Sequence, residues 1–267
     1  MTQDHHEGPR PTEIHPTALV DPKAELASGV QIGPYAVIGE GARIGRATRI
    51  GPHVVIEGRV EIGERCEISA GVVVGTPPQD LKYQEGTLSG VRIGNENRIR
   101  EYVTIHRASV EGSWTTIGDG NFIMAASHIA HDCRVGNGVV LVNYCGLSGF
   151  VEVEDRAVVG GLAGLHQFCR VGTMAYVGGY ARVAQDIPPY FIAEGNPAEA
   201  RAVNVVGLRR NDVPPEIRLD LQRAFKILYR SGLNRTQALE RIKSQITMSD
   251  EVAHLIEFIE SSKRGIC

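Results

Sequence analysis

The chain has 267 residues, a net charge of −3, 31 glycines and only 6% aromatic residues. A slightly acidic chain has no overall positive potential that would attract nucleic acid. No apolar run is long enough to span a membrane. The segment "MTQDHHEGPRPTE" lacks the apolar core of a secretory signal, so we expect a cytoplasmic protein. We interpret residues 1–13 as a polar tail in which His5 and His6 do not bind metal.

An aliphatic residue recurs every six positions from Ile14 onwards. The first series is Ile14, Val20, Leu26, Ile32, Ile38, Ile44, Ile50, Ile56, Ile62, Ile68 and Val74, the second is Ile93, Ile99 and Ile105, and the third runs from Ile117 to Val183. A second, mostly small residue precedes each of these by two positions. Because residues i and i+2 of a strand point to the same side, each pair predicts a very short strand with two inward side chains.

A period of six fits neither a helix nor an ordinary strand. A helix repeats every 3.6 residues, whereas a solenoid with three short strands per coil turns every six. The pattern resembles the hexapeptide-repeat family, and the resemblance implies a mainly β fold, a left-handed parallel β-helix of triangular cross-section, over residues 14–203. With eighteen residues in each coil, we expect roughly ten coils stacked about 4.8 Å apart.

Four cysteines occupy the small inward positions of this pattern, and the fifth is the last residue. They are Cys66, Cys133, Cys145, Cys169 and Cys267. No two of the inward four are one coil apart, so we expect none of them to be neighbours. The sequence therefore predicts free cysteines that fill space, without disulfides.

Two insertions interrupt the period. They are "GTPPQDLKYQEGTLSG" after Val74 and "HRASVEGSWTT" after Ile105. Solenoids tolerate insertions at their corners, and such loops commonly serve binding. The charged, amide and aromatic groups of "QDLKY" favour a binding role for the first insertion.

The hexads end before residue 204, and residues 204–267 have the spacing of a helical domain. In "PPEIRLDLQRAFKILYRSG", Ile217, Leu221 and Phe225 lie on one face after a proline start, and Ser249 is expected to cap a later helix. The basic residues of the first part are Arg209, Arg210, Arg218, Arg223, Lys226 and Arg230. These charges fit either a solvated helix face or a docking surface for an acidic protein.

The segment "HIAHDC", residues 128–133, places His131 and Asp132 outside both inward series. His131 should therefore lie outside the coil or at a corner and should not be a buried packing side chain. One coil later its column holds Gly149, which leaves a notch beside the imidazole. Histidine with an adjacent carboxylate has the composition of a general base near neutral pH, with the acid fixing its tautomer.

A metal site is the competing interpretation of these histidines, since γ-carbonic anhydrases bind a metal with three histidines on the same fold. The candidates are His128, His131 and His166. A metal needs its ligands to converge on one point. His131 and His166 are nearly two coils apart, roughly 9–10 Å along the axis, so we expect no metal site.

Several motifs in order resemble those of the acyl-carrier-protein:UDP-N-acetylglucosamine O-acyltransferases, which begin lipid A synthesis. The motifs are "QDLKY", "NRIRE", "TIHR", "HIAHDC", "LHQFCRVG", "VAQDIPPY" and "EGNPA" followed by "GLRR". The similarity extends from Ile14 to "SSKRG". It implies that a homotrimer, with sites between subunits, transfers a 3-hydroxyacyl chain from acyl carrier protein to the 3-position of UDP-N-acetylglucosamine. No cofactor is implied beyond the phosphopantetheine of the donor.

The resemblance also implies roles for individual residues. His131 would be the general base, Asp132 its orienting group, and the backbone N–H of Gly149 the oxyanion donor. The implied substrate contacts are Gln79, Asp80, Lys82, His128, His166, Gln167, Asn204 and Arg210. The implied acyl groove consists of Asn143, Gly161, Tyr176 and Gly179, and a glycine matching Gly179 goes with long acyl chains in this family.

Two positions depart from the family pattern. Phe150 stands where the family commonly has histidine, and the basic run of "GLRRND" ends at Asn211. Two other functions stay open, an N-acyl or acetyltransferase acting on another nucleotide sugar and a non-catalytic or metal-binding trimeric solenoid. A histidine base serves a 3-hydroxyl and a 3-amino acceptor alike, so the sequence does not choose between these acceptors.

Overall fold

The structure is a computed structural model that describes residues 11–267. The interpretation of His5 and His6 therefore lies outside the described residues. Four helices close the chain, namely α1 (Val205–Arg210), α2 (Pro215–Arg230), α3 (Arg235–Gln245) and α4 (Asp250–Ser261).

The described part of the chain before the helices contains short strands, and most of them are two residues long. The first fourteen are β1 (Glu13–Ile14), β2 (Leu19–Val20), β3 (Glu25–Leu26), β4 (Gln31–Ile32), β5 (Val37–Ile38), β6 (Ala42–Ile44), β7 (Arg49–Ile50), β8 (Val55–Ile56), β9 (Arg59–Ile62), β10 (Glu67–Ile68), β11 (Val73–Thr76), β12 (Gly90–Ile93), β13 (Arg98–Ile99) and β14 (Thr104–His106). The others are β15 (Trp114–Ile117), β16 (Phe122–Ile123), β17 (His128–Ile129), β18 (Arg134–Val135), β19 (Val140–Leu141), β20 (Gly146–Leu147), β21 (Glu152–Val153), β22 (Val158–Val159), β23 (Gly164–Leu165), β24 (Arg170–Val171), β25 (Tyr176–Val177), β26 (Arg182–Val183), β27 (Phe191–Glu194) and β28 (Glu199–Val203).

The strands form three sheets, one on each side of a triangular coil. The first sheet takes β1 and every third strand to β25 and is extended by β27 and β28; the second runs from β2 to β26 and the third from β3 to β24. Partners in adjacent coils are 18 residues apart, as Gln31 is from Glu13. The sequence prediction of a β-helix is confirmed. The antiparallel pair of β27 and β28, which follows the coils, has no counterpart in the hexad pattern.

Both insertions leave the solenoid at the same corner, between the second and third sheets. The first joins β11 to β12 and the second joins β14 to β15, and the register survives both, since Ile62 pairs with Ile93 and Ile93 pairs with Ile117. His131 lies between β17 and β18, which is again this corner. The topology therefore brings both insertions to the side of the molecule where the candidate base lies.

The inward series form a narrow core. From Ile32 to Val183 every aliphatic member is at most 4% exposed, while Ile14 in the first coil is 47% exposed. All five cysteines in the described residues are free, as predicted. Burial raises the pKa of Cys133 to about 12, so this thiol is protonated at neutral pH and is a poor nucleophile.

The helices pack on the last coils through a second apolar core. Met174 and Phe191 from the β-helix end meet Leu221 and Phe225 of α2 in this core. Ser249 accepts a hydrogen bond from the Val252 amide and caps α4, as predicted. None of the helices among residues 11–267 is long and apolar enough to cross a membrane.

Candidate active site

The site is built around His131 and Asp132, at a corner where the chain turns sharply. Asp132 has φ of 59°, a left-handed conformation in which aspartate is several-fold enriched over most other residues. Nδ1 of His131 lies 2.8 Å from Oδ2 of Asp132, and both side chains are almost completely covered. The structure therefore pairs the two residues that the sequence singled out.

The protonation of this pair follows from its surroundings. Burial acts to raise the pKa of Asp132, but hydrogen bonds from His131 and Ser109 outweigh it and hold this pKa below its ordinary value. An ionised carboxylate accepts only, so Nδ1 of His131 carries the proton that it donates to Asp132. In the neutral imidazole this leaves the lone pair on Nε2, which is the tautomer that a general base needs.

His131 is more deeply covered than the sequence predicts. Its residue exposure is 3%, although it is not part of the coil core, as expected. The ring does lie outside the coil interior, but Phe150 packs edge-on against it with centroids 5.4 Å apart, and the first insertion approaches its other nitrogen. The hexad pattern gives the direction of a side chain from the coil and contains no information about what covers it there.

Gly149 lies directly beside the imidazole, one coil further on. A Cβ atom at this position would come within 2.6 Å of Nε2 of His131. The Phe150 amide donates to the His131 carbonyl at 3.1 Å, which ties the two coils together. Among residues 11–267 the Gly149 N–H has no hydrogen-bond partner.

The first insertion brings Asp80 to the same point. Oδ2 of Asp80 lies 4.0 Å from Nε2 of His131, and its Oδ1 accepts a hydrogen bond from the Lys82 amide at 2.9 Å. The side chains of Gln79 and Lys82 are exposed around it. Arg107 supports this loop by donating to the hydroxyl of Tyr83 at 3.3 Å.

Two further histidines flank the pair. Nδ1 of His128 lies 2.7 Å from Oγ1 of Thr104, and the ring of His106 stands edge-on to His128 at 4.7 Å. Burial, followed by the charges of His128 and His131, lowers the pKa of His106 to about 4, so its imidazole is neutral. Nδ1 of His106 is buried and has no partner among the described residues. The sequence reasoning missed Thr104 and His106, although both lie in the motif region "TIHR".

A groove lies on the second sheet, beside His128. It has a volume of about 340 Å³ and is lined by His128, Gly146, Gly164, His166 and Arg182, among others. A Cβ atom on either glycine would meet open space, so the floor of the groove is bare backbone. The groove therefore offers a ligand a strip without side chains.

Gln167 and His166 are exposed at the end of the groove, as outward positions should be. Asn143, Gly161 and Gly179 stack in one column at a different corner, between the first and second sheets, and Tyr176 precedes it at 37% exposure. Within a single chain, the implied acyl groove is therefore not on the corner that carries His131.

Asn204 differs from the other implied substrate contacts. It is 8% exposed, its Oδ1 accepts from the Gly207 amide at 2.9 Å, and its Nδ2 donates to the Met174 carbonyl at 2.8 Å. Both polar ends of the side chain are therefore used to cap α1 and attach it to the β-helix. Arg210, the last residue of α1, is exposed and forms no ion pair within residues 11–267.

The metal interpretation named His128, His131 and His166 as ligands. The part of the chain from residue 11 to residue 267 contains no group of three histidine, cysteine, aspartate or glutamate side chains arranged to hold a metal ion. Nδ1 of His128 is directed at Thr104, and Nδ1 of His131 is directed at Asp132.

Comparison with known proteins agrees with this architecture. The model of the bacterial transferase hexapeptide repeat matches residues 11–46, 41–76 and 115–149, and the model of UDP N-acetylglucosamine O-acyltransferase domain 2 matches residues 186–267. The chain is 51% identical to the acyl-[acyl-carrier-protein]–UDP-N-acetylglucosamine O-acyltransferase of Thermodesulfovibrio yellowstonii, over 96% of this chain and 99% of the relative. The enzyme of the same description from Burkholderia ambifaria MC40-6 is 49% identical with the same coverage.

Solved structures give the same result. LpxA from Acinetobacter baumannii is 41% identical with a TM-score of 0.91, covering 95% of this chain and 98% of that one. LpxA from Bacteroides fragilis, described as a UDP-N-acetylglucosamine acyltransferase, is 34% identical with a TM-score of 0.91, covering 95% and 99%. The left-handed β-helix, its repeats and these relatives therefore define a hexapeptide-repeat acyltransferase. The chain belongs to the acyl-[acyl-carrier-protein]–UDP-N-acetylglucosamine O-acyltransferase family, as its motifs indicated.

Proposed function

We propose that this protein transfers a 3-hydroxyacyl chain from acyl carrier protein to the 3-hydroxyl of UDP-N-acetylglucosamine, the first step of lipid A synthesis. The observation that carries the proposal is the juxtaposition of a base and an oxyanion donor. Gly149 packs directly against the His131 ring and its N–H has no hydrogen-bond partner among the described residues, while Asp132 binds Nδ1 and leaves Nε2 as the acceptor nitrogen of the neutral imidazole. The named relatives supply the substrates of the proposal.

The reaction needs one proton transfer in each direction. Nε2 of His131 takes the proton of the sugar 3-hydroxyl as the oxygen attacks the thioester carbonyl carbon. The Gly149 N–H binds the negative oxygen of the tetrahedral intermediate. The C–S bond then breaks, the imidazolium returns the proton to the departing pantetheine thiolate, and the ester is released.

Direct transfer requires neither an acyl-enzyme nor a resident cofactor. Burial raises the pKa of Cys145 and of Cys169 to about 11 each, so these thiols, like Cys133, are not nucleophiles at neutral pH. The chemistry is complete with a base, a carboxylate and a backbone donor. Free cysteines also agree with the proposed location in the reducing cytoplasm.

The homotrimer is part of the proposal and has support in the surface of a single chain. The corner between the first and second sheets carries an exposed apolar column. Its large members are Tyr35 at 58%, Tyr102 at 69%, Tyr144 at 64%, Leu162 at 49% and Tyr180 at 76% exposure. Exposed large side chains aligned along one corner are typical of an interface, and association along this corner would bring the acyl column of one subunit near another subunit's groove.

The test is an assay with purified protein, acyl carrier proteins loaded with 3-hydroxyacyl chains, and UDP-N-acetylglucosamine, with the product identified by mass spectrometry. Three parallel reactions serve as comparisons. One replaces the acceptor with its 3-amino analogue, one replaces the donor with an acyl-coenzyme A, and one contains a chelator. We expect an ester with carrier protein as donor, no effect of the chelator, and loss of about 10²–10⁴ in rate for His131→Ala. Product formed mainly from coenzyme A, or a His131→Ala variant that keeps most of its rate, would refute the proposal. His15→Ala, at an exposed position of the first coil, is the control.

A further inference from the structure

Asp132 itself needs to be held in place if it is to orient His131. A carboxylate that is 7% exposed has lost most of its water and depends on protein donors. Three donors converge on a single oxygen, Oδ2. The Ser109 amide lies 3.0 Å away, the Ser109 hydroxyl 2.6 Å away and Nδ1 of His131 2.8 Å away.

The backbone of Asp132 is held from the opposite side. Its amide donates to Oγ1 of Thr115 at 2.9 Å, and Thr115 is fully buried in the coil. The main chain of Asp132 is therefore bound to the β-helix, while its carboxylate is bound to Ser109. With both ends held, rotation about the side-chain bonds of Asp132 is restricted to the orientation that faces His131.

Ser109 lies in the second insertion, and that insertion is bound to the first. The Gly112 amide donates to the Leu88 carbonyl at 2.8 Å, and the Leu88 amide donates to the Glu111 carboxylate at 2.8 Å. The first insertion also carries Asp80, which faces the other nitrogen of His131. The second insertion thus lies between the catalytic pair and the loop that is implied in substrate binding.

We propose that Ser109 is a positioning residue, whose hydroxyl and amide keep Asp132 directed at Nδ1 of His131. The inference rests on the proposed function, because it gives Ser109 a role only through the histidine base. Its consequence concerns kcat. Without the hydroxyl, Asp132 populates other rotamers. In those molecules the tautomer of His131 is no longer fixed, so a smaller fraction of active sites can transfer the proton.

The experiment is a double-mutant cycle between Ser109→Ala and Asp132→Asn. Asparagine tolerates the backbone conformation of this corner but lacks the charge that Ser109 stabilises. In the otherwise unchanged protein we expect Ser109→Ala to lower kcat about tenfold, with KM for both substrates within about twofold, since a charge-assisted hydrogen bond is lost. In the Asp132→Asn background the same substitution should change kcat by less than about twofold.

Two further variants separate positioning from folding. Ser109→Thr retains both donors and should restore most of kcat. Ser113→Ala removes a hydroxyl from the same insertion that makes no hydrogen bond within the described residues, and it should leave kcat and the melting temperature unchanged. An unchanged kcat for Ser109→Ala, or an equal loss in both backgrounds, would overturn the inference.

His131→Ala is measured in the same series to distinguish the two failures. Activity retained by His131→Ala refutes the histidine mechanism of the proposed function. Loss of activity in His131→Ala together with an unaffected Ser109→Ala refutes the role of Ser109 alone.

Discussion

The positions of Gly149 and His131 leave no room for a side chain at residue 149 while the imidazole keeps its place, because a Cβ atom there would lie 2.6 Å from Nε2. The backbone of Gly149 does not have the left-handed φ that would by itself favour glycine. The requirement therefore comes from the close approach of the histidine ring. It links the location of the base to the location of the N–H proposed to bind the oxyanion.

We predict that Gly149→Ala lowers kcat by at least about 100-fold, since the added methyl group displaces the imidazole and so removes the positioned base. The fold should survive, because His131 lies outside the coil core and a backbone of this conformation accepts alanine. Initial rates and the melting temperature of the variant measure the two effects separately.

Gly146→Ala is the matched control for this substitution, because a Cβ atom at Gly146 meets open space. Its melting temperature should equal that of the unmodified protein. A Gly149→Ala variant with near-normal kcat would mean that the imidazole can move aside without loss of function, which contradicts the proposed geometry.

A second prediction concerns stability and pH, at the junction between the β-helix and α4. Nε2 of His254 lies 2.7 Å from Oε2 of Glu154, which also accepts from the amide and hydroxyl of Thr173. The hydrogen bond with Glu154 raises the pKa of His254, against the effects of burial and of nearby Arg170. Burial acts to raise the pKa of Glu154, but its bonds with His254 and Thr173 lower it on balance.

The sign of the pH dependence follows from these directions. A raised pKa of His254 in the folded state stabilises the protein fully below the unfolded value of about 6.5, and this contribution is lost as pH rises through the folded value. We therefore expect the melting temperature of the unmodified protein to exceed that of His254→Gln at pH 5.5, and the difference to shrink by pH 8.5. The exposed His15 gives the control His15→Gln, and a difference that is independent of pH would contradict this account.

The fold was predictable because its geometry is repeated in the sequence. Each coil places the same kind of residue at the same two inward positions, and even the insertions preserve the register of Ile62, Ile93 and Ile117. Where the repeat ends, prediction became less complete. β27 and β28 extend the first sheet, and Asn204 caps α1. Both features depend on tertiary contacts with the last coils, such as the hydrogen bond from Asn204 to the Met174 carbonyl.

The site was predictable only in part, for a related reason. The pattern placed His131 and Gly149 in one column, with Asp132 in the next, and these residues are in contact in the structure. The repeat pattern does not predict the backbone conformation of the two insertions, because they have no period of their own. Asp80 approaches His131, and Ser109 contacts Asp132, only because of the way in which the insertions fold. Neither contact could therefore be predicted from the sequence.

A third prediction concerns the acidic carrier protein as a partner of the basic surface of α2. Arg223 and Lys226 are exposed there, whereas Nη1 of Arg218 is buried without a partner among the described residues, so Arg218 is a poor choice for charge reversal. We expect Arg223→Glu with Lys226→Glu to raise KM for acyl carrier protein several-fold at low salt, and less at high salt, because of screening. KM for the nucleotide sugar should not change.

The control for that pair reverses two charges elsewhere, at Arg43 and Arg134 of the third sheet, which are exposed and change the net charge equally. If both double variants raise KM alike, the effect belongs to the net charge of the protein. A KM that is unchanged at low ionic strength in the α2 variant would exclude this surface from the interface.

The last prediction concerns the length of the acyl chain. Asn143, Gly161 and Gly179 stack in successive coils, where the Tyr180 amide donates to the Gly161 carbonyl at 2.9 Å. The two glycines remove side chains from a strip about 5 Å long or more, beside Tyr176, and a trimer would close this strip into a groove. Gly179→Met should shorten the groove and move the preferred donor to a shorter chain. Since each buried methylene contributes about 0.8 kcal/mol, a loss of two should reverse the preference between donors by roughly tenfold or more.

Gly164→Met is the matched variant, because Gly164 is a member of the bare strip on the second sheet, where an added side chain meets open space. Competition assays with donors of several chain lengths measure the ratio of kcat/KM for each variant. If the acyl chain lies along the column of Gly179, only Gly179→Met moves the optimum, and Gly164→Met changes all donors in proportion. The reverse result would place the chain in the groove beside His128 and His166. It would leave Gly179 as a glycine required by a tight corner, where a Cβ atom would lie 3.3 Å from the Gly161 carbonyl oxygen.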